Sequence, residues 1–114
     1  MNFDKIKESY PKAWERLSDW AHPQGKGFTY YPGIGWRSSM NDRDLYEFFD
    51  AQGIYASVSP KLKSGGKLRE FTWYIDMAGS HFASMALNEF HLSRAAAESA
   101  AFEKAFEILE NKLK

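Results

Sequence analysis

Arg69-Glu-Phe-Thr-Trp-Tyr-Ile-Asp-Met77 sets Phe71, Trp73, Ile75 and Met77 in strict alternation with Glu70, Thr72, Tyr74 and Asp76. Successive side chains of a strand point to opposite faces, so the stretch predicts a half-buried strand with one apolar face. Just upstream, Ile54, Ala56 and Val58 alternate with Tyr55, Ser57 and Ser59, which predicts its partner. Pro60-Lys-Leu-Lys-Ser-Gly-Gly-Lys67 between them reads as a long hairpin tip, with Gly65 and Gly66 at the turn. After the turn Ala78-Gly79-Ser80, a third antiparallel strand over roughly 81–86 is the economical reading. A short helix through Phe82, Met85 and Glu89 is its rival.

Helical spacing flanks this sheet on both sides. Phe3, Ile6, Tyr10, Trp14, Leu17 and Ala21 recur at three- and four-residue steps, one face of a helix. Pro11 interrupts them, predicting either a kink or a second helix that starts at Pro11 behind Ser9. His22-Pro23 ends the element, because a residue before proline is pushed out of the helical region. Asn41–Gly53 reads as the best-punctuated helix, with Asn41 to cap it, acids in its first turn and Gly53 for a left-handed stop. Leu45, Phe48 and Phe49 face inward, and Asp42, Asp44, Glu47 and Asp50 form a solvated acidic face. In the last helix, capped by Ser93, Phe102, Phe106, Leu109 and Leu113 form a stripe bordered by Ala101, Ala105 and Ile108. Glu110 and Lys114 stand four residues apart there and read as an exposed pair.

The expected fold class is therefore α+β. A three-stranded antiparallel sheet packs against N-terminal, middle and C-terminal helices, in the order helix, loop, helix, strand, strand, strand, helix. The chain has 114 residues, the size of one domain, which is taken to span 1–114.

Composition narrows the function classes. There is no cysteine, which removes disulfides, thiolate zinc sites, iron–sulfur ligation and a cysteine nucleophile together. Fifteen Lys and Arg balance fifteen Asp and Glu, which argues against a broadly basic nucleic-acid binder but leaves room for a local patch. The balance is a cancellation: Asp42–Gly53 has Arg43 against Asp42, Asp44, Glu47 and Asp50, whereas Ile54–Arg69 holds Lys61, Lys63, Lys67 and Arg69 with no acid. Met1–Tyr10 lacks the apolar core of a secretory signal, and no apolar run approaches a membrane span; the expected location is the cytoplasm.

Chemistry-bearing motifs are sparse. His22, His81 and His91 show no metal-ligand spacing, and no Gly-x-Ser-x-Gly elbow occurs. The glycines of Gly25-Lys-Gly27, Gly33-Ile-Gly35 and Gly65-Gly66 lack phosphate-loop spacing. No catalytic residue, metal ligand or cofactor is assigned.

One segment breaks the regular pattern. From His22 to Ser39, four glycines and two prolines surround Phe28, Tyr30, Tyr31 and Trp36. Pro32-Gly33 suits the centre of a type II turn, so either a short hairpin or an aromatic loop lying on the core is expected. With nine Phe, six Tyr and four Trp in the chain, the aromatics without a place on a predicted helix or strand are concentrated in these four. They either complete a small core or form a patch for a protein partner or a second copy of the chain. The second surface is the basic hairpin, where Lys61, Lys63, Lys67 and Arg69 would meet phosphates and Tyr55 and Tyr74 would stack on bases.

The element order from Asp42 to Lys114 resembles that of double-stranded-RNA-binding domains, and Ser93-Arg-Ala-Ala-Ala-Glu-Ser-Ala-Ala is similar to the start of that family's last helix. That family carries lysines there, where this chain has Arg94, alanines and Glu98. Lys5-Ile-Lys-Glu-Ser-Tyr-Pro-Lys-Ala-Trp14, Asp44-Leu-Tyr-Glu-Phe-Phe-Asp-Ala-Gln-Gly-Ile-Tyr55 and Ala101-Phe-Glu-Lys-Ala-Phe-Glu-Ile-Leu-Glu110 together resemble small uncharacterised proteins of gut-bacterial phages and mobile elements. That resemblance implies no activity and no site residue. The expectation is a non-enzymatic interaction or self-association module, with weak nucleic-acid binding as the alternative.

Overall fold

A computed structural model describes residues 3–62, 69–84 and 91–114. In chain order the elements are α1 (Phe3–Ser9), α2 (Pro11–Ala21), a 3-10 turn (His22–Gln24), β1 (Phe28–Tyr31), β2 (Gly35–Ser38), α3 (Asp42–Ala51), β3 (Tyr55–Leu62), β4 (Arg69–Met77), β5 (Ser80–Ala83) and α4 (Arg94–Leu113). The class is α+β. One antiparallel sheet has the order β3-β4-β5, and β1 and β2 form a separate two-stranded hairpin.

The alternation in β4 translates directly into packing. Trp73 and Ile75 are buried and pair across the ladder with Val58 and Ala56. Phe71 and Met77, nearer the strand ends, are only half-buried. β5 pairs with β4 from Tyr74–Ala83 to Met77–Ser80, as the strand reading of this segment expects, and Phe82 lies within it. Met85 and Glu89, which the rival helix requires, lie outside the described residues, as do Gly65 and Gly66 of the hairpin tip. The chain then returns to β4 through a bridge between His91 and Phe71.

α4 lies across this sheet. Ala97, Ala101 and Ala105, spaced one turn apart, bring its backbone close to β3 and β4, and Phe102, Phe106 and Leu109 fill the space beside them. Phe49 stands against Phe106 at 4.9 Å and Phe102 at 6.1 Å. From the other side Ile6, Ala13, Trp14 and Leu17 complete one continuous core.

The ends of the elements follow the local code. The Asn41 side chain accepts the Asp44 N–H and the Asp44 carboxylate accepts the Asn41 N–H, a reciprocal capping box at 3.0 Å each way. Gly53, at φ +76°, closes α3: its N–H reaches the Asp50 carbonyl and the Ile54 N–H reaches that of Phe49. This is the double bond of a Schellman stop, with Phe49 and Ile54 both buried. Ser93 caps α4 by accepting the Ala96 N–H at 3.1 Å.

Two readings of the acids are corrected. Glu110 is not half of an exposed pair with Lys114; it is 6% exposed, and its carboxylate accepts the Ala13 N–H at 2.9 Å. The break at Pro11 does make a second helix, but its N-cap is Tyr10, which supplies no side-chain acceptor, so Glu110 of α4 caps α2 from across the core. Asp44 is likewise not on a solvated face. It is 7% exposed and holds the Lys26 ammonium, whereas Asp42, Glu47 and Asp50 do remain exposed.

Candidate interaction surface

The segment His22–Ser39 folds as a hairpin. α2 ends at Ala21, the 3-10 turn carries Pro23, and Gly25 at φ +71° reverses the chain. Tyr31 and Ile34 close the β-turn by an N–H to carbonyl bond of 2.9 Å, around Pro32 and Gly33 at φ +81°. The positive φ at the third turn position is what a type II turn requires, and glycine meets it without steric cost. Phe28, Tyr30 and Trp36 share one face, with Tyr30 paired to Trp36; Thr29, Tyr31 and Arg37 occupy the other.

That hairpin is clamped to the helices at several points. The Phe28 ring sits 4.2 Å from Trp14 and 5.5 Å from Phe3. Trp36 meets Trp14 at 5.9 Å, and the Lys7 ammonium lies 4.0 Å above its ring. The Asp4 carboxylate accepts the Trp36 N–H at 3.4 Å, and a Cβ on Gly35 would collide with the same carboxylate. At the root, Ser39 and Gly27 exchange two hydrogen bonds of 3.2 Å, and Lys26 is bound to Asp44 of α3. The Lys26 ammonium, with the Asn41 N–H, holds the Asp44 carboxyl below the usual aspartate range.

The four aromatics picked out in this loop therefore divide. Phe28 and Trp36 are half-buried anchors, whereas Tyr30 and Tyr31 are 56% and 48% exposed. Ile34, which sequence reasoning passed over, is 60% exposed beside them. Its signal was present: an apolar residue directly after Pro32-Gly33 sits on a turn corner, and turn corners face solvent. An open cleft of about 440 Å³ adjoins the root, lined by His22, Lys26, Phe28 and Ser39 among others. Its polar groups hold the loop: Lys26 on Asp44, Ser39 on Gly27.

The basic hairpin is described only in part. Lys61 is exposed on β3 and stands opposite Glu70. Arg69 opens β4 opposite Leu62; its side chain, Lys63 and Lys67 lie outside the described part. Tyr55 and Tyr74 do share the sheet face turned away from α4, with Tyr74 stacked 6.1 Å from His81 and His81 paired to Asp76. Tyr55 and Lys61 are six residues apart along β3, about 20 Å at strand rise.

A further titratable group stands on α4: burial, then the nearby Asp42 carboxylate, pushes the Glu98 carboxyl up. Burial, reinforced by Glu98 and Asp42, pushes the Tyr46 phenol to about 12. Among the described residues no group of three or more His, Cys, Asp or Glu is placed to hold a metal ion, and no helix is long and apolar enough to cross a membrane. Comparison of the chain with protein-family models, curated proteins and solved structures finds no match.

Proposed function

We propose that the chain is a non-enzymatic protein-interaction module, of the kind carried by phages and other mobile elements of bacteria, and that the β1–β2 hairpin is its contact surface. The observation that carries this reading is the exposure of Tyr30, Tyr31 and Ile34 on a hairpin whose other aromatics are locked into the body. Single exposed apolar residues need no explanation, but three within five residues, on both faces of one hairpin end, make an exposed apolar tip. Tyrosine contributes large contact area at low entropic cost, which suits a binding surface. Because Trp14, Asp4, Lys7 and Lys26 restrain the hairpin, little ordering entropy remains to be lost on contact.

The test places a photo-crosslinking residue at Tyr31 or Ile34, with Tyr55 as the control site. Expected is a discrete adduct with one polypeptide from the hairpin sites only. That polypeptide, purified, binds the wild-type chain and loses binding when Tyr30→Ser and Ile34→Ser are combined. Equal labelling from Tyr55, or no adduct, overturns the reading.

Nucleic-acid binding is the second reading. It is supported by the shared face of Tyr55, Tyr74 and His81 and by the acid-free run Ile54–Arg69. It predicts affinity for single- or double-stranded probes that falls with salt and is lost in the Lys61→Glu, Lys63→Glu, Lys67→Glu chain.

A further inference from the structure

We infer that the hairpin surface takes a second copy of this chain, through antiparallel pairing of β1 with β1 centred on Thr29. The inference rests on the hairpin being the contact surface and adds its occupant and register. Backbone direction is the starting point. The Trp36 N–H is taken by Asp4, so it points away from β1. In an antiparallel ladder the residue opposite points away as well, so Tyr30 directs its N–H and carbonyl to the outer edge of β1. Gly27 and Tyr31 bond inward, to Ser39 and Ile34, which places Phe28 outward in register with Tyr30.

The two edges of the hairpin are unlike. β2 is blocked by α1 through Asp4, and among the described strands β1 pairs with β2 alone. Exposed edges are ordinarily protected by charge, proline or a covering element. β3 carries Pro60 and Lys61, whereas Phe28-Thr-Tyr-Tyr31 carries neither proline nor charge. From Gly27 to Gly35 no ionisable carboxylate or ammonium would repel an identical strand, and the chain's net charge is zero.

That edge is self-complementary in one register. With Thr29 opposite Thr29 of the second copy, Phe28 meets Tyr30 of the second copy and Tyr31 lies over its Gly27. The outward groups of Phe28 and Tyr30 then form four reciprocal backbone hydrogen bonds. Thr–Thr and aromatic pairs are favourable across strands, and an aromatic ring shields a glycine that has no side chain of its own. The result is a two-fold, four-stranded sheet of order β2-β1-β1-β2. Four strand residues per copy fall well short of the roughly 800 Å² per partner of stable complexes, so the dimer exchanges rapidly on dilution.

The experiment uses the absence of cysteine. In the paired register the Thr29 Cα atoms lie about 4.5 Å apart, within disulfide range, so Thr29→Cys cross-links under mild oxidation. Arg37→Cys, three strand spacings from its symmetry mate at about 14 Å, stays monomeric. Expected is at least about a tenfold rate advantage for Thr29→Cys, abolished by adding Tyr30→Pro, which removes an outward N–H that the β1–β2 ladder does not use. Circular dichroism confirms that each variant is folded. Equal rates at both positions, or no Thr29 disulfide from folded protein at millimolar concentration, overturns the pairing. If Thr29→Cys fails while Tyr31 or Ile34 photo-labels a different polypeptide, self-pairing falls and the hairpin reading stands. If both fail, both fall.

Discussion

The Glu110 carboxylate accepts the backbone N–H of Ala13, 97 residues upstream, at 2.9 Å inside the core. It joins the last helix to the first turn of α2, where Tyr10 offers no cap of its own and Pro11 removes one donor. Glu110→Ala leaves the Ala13 N–H buried without an acceptor, an expected loss of about 1–3 kcal/mol in urea unfolding. Glu110→Gln keeps an acceptor oxygen and loses less. Equal losses in the two variants would mean that packing, not the cap, is what Glu110 supplies.

The burial of Glu98 beside Asp42 predicts a pH dependence with a definite sign. The Glu98 pKa is raised in the folded state, so the folded chain holds that proton longer than the unfolded chain does. The associated stability is complete below the ordinary glutamate value, about 4.3, and is lost as pH rises through the raised folded value. Glu98→Gln lacks this loss. The variant's stability relative to wild type therefore increases from acid to neutral pH, as thermal melts across that range will read. A difference independent of pH contradicts the assignment.

Lys26 and Asp44 produce the opposite slope. The Asp44 pKa is lowered by Lys26 and by the Asn41 N–H, so its contribution is present above the ordinary aspartate value and fades as pH falls through the lowered one. Lys26→Met flattens this acid limb of the stability curve. It also speeds hydrogen exchange at Gly27 and Ser39, because it releases the hairpin root from α3.

Gly35 combines a φ of +100° with the approach of Asp4. Gly35→Ala is expected to cost about 1–3 kcal/mol, since a Cβ is strained in that region and meets the carboxylate as well. Pairing it with Asp4→Ser relieves the collision alone. Recovery in the double variant is therefore partial; complete recovery would show that the backbone carries no strain.

Legibility in the sequence followed the range of each interaction. Alternation in Arg69–Met77 and the stripe on α4 were readable because a side chain's face is set by a two- or 3.6-residue period. Asn41, Gly53, Ser93 and the Pro32-Gly33 turn were readable because caps and turns act within four residues. The roles of Asp44 and Glu110 were not, since an acid on a helix reads as exposed until its distant partner is known. The aromatic loop fell between the two cases. Its turn was visible, but the division into the anchors Phe28 and Trp36 and the exposed Tyr30, Tyr31 and Ile34 depended on where Trp14 and Lys7 stand.

By itself, then, the sequence determined the α+β class, the pair of strands around Ile54–Ser59 and Arg69–Met77 and the ends of its main helices, and left the third strand beside a helical rival. Only the tertiary structure decided which acids turn inward and which edge of the hairpin α1 holds. Those outcomes hang on Lys26–Asp44, Asp4–Trp36 and Ala13–Glu110, contacts spanning 18, 32 and 97 residues. Burial makes an unpaired charge or N–H costly, so each of these groups is satisfied by whatever the folded chain brings within reach, and no local pattern encodes that partner.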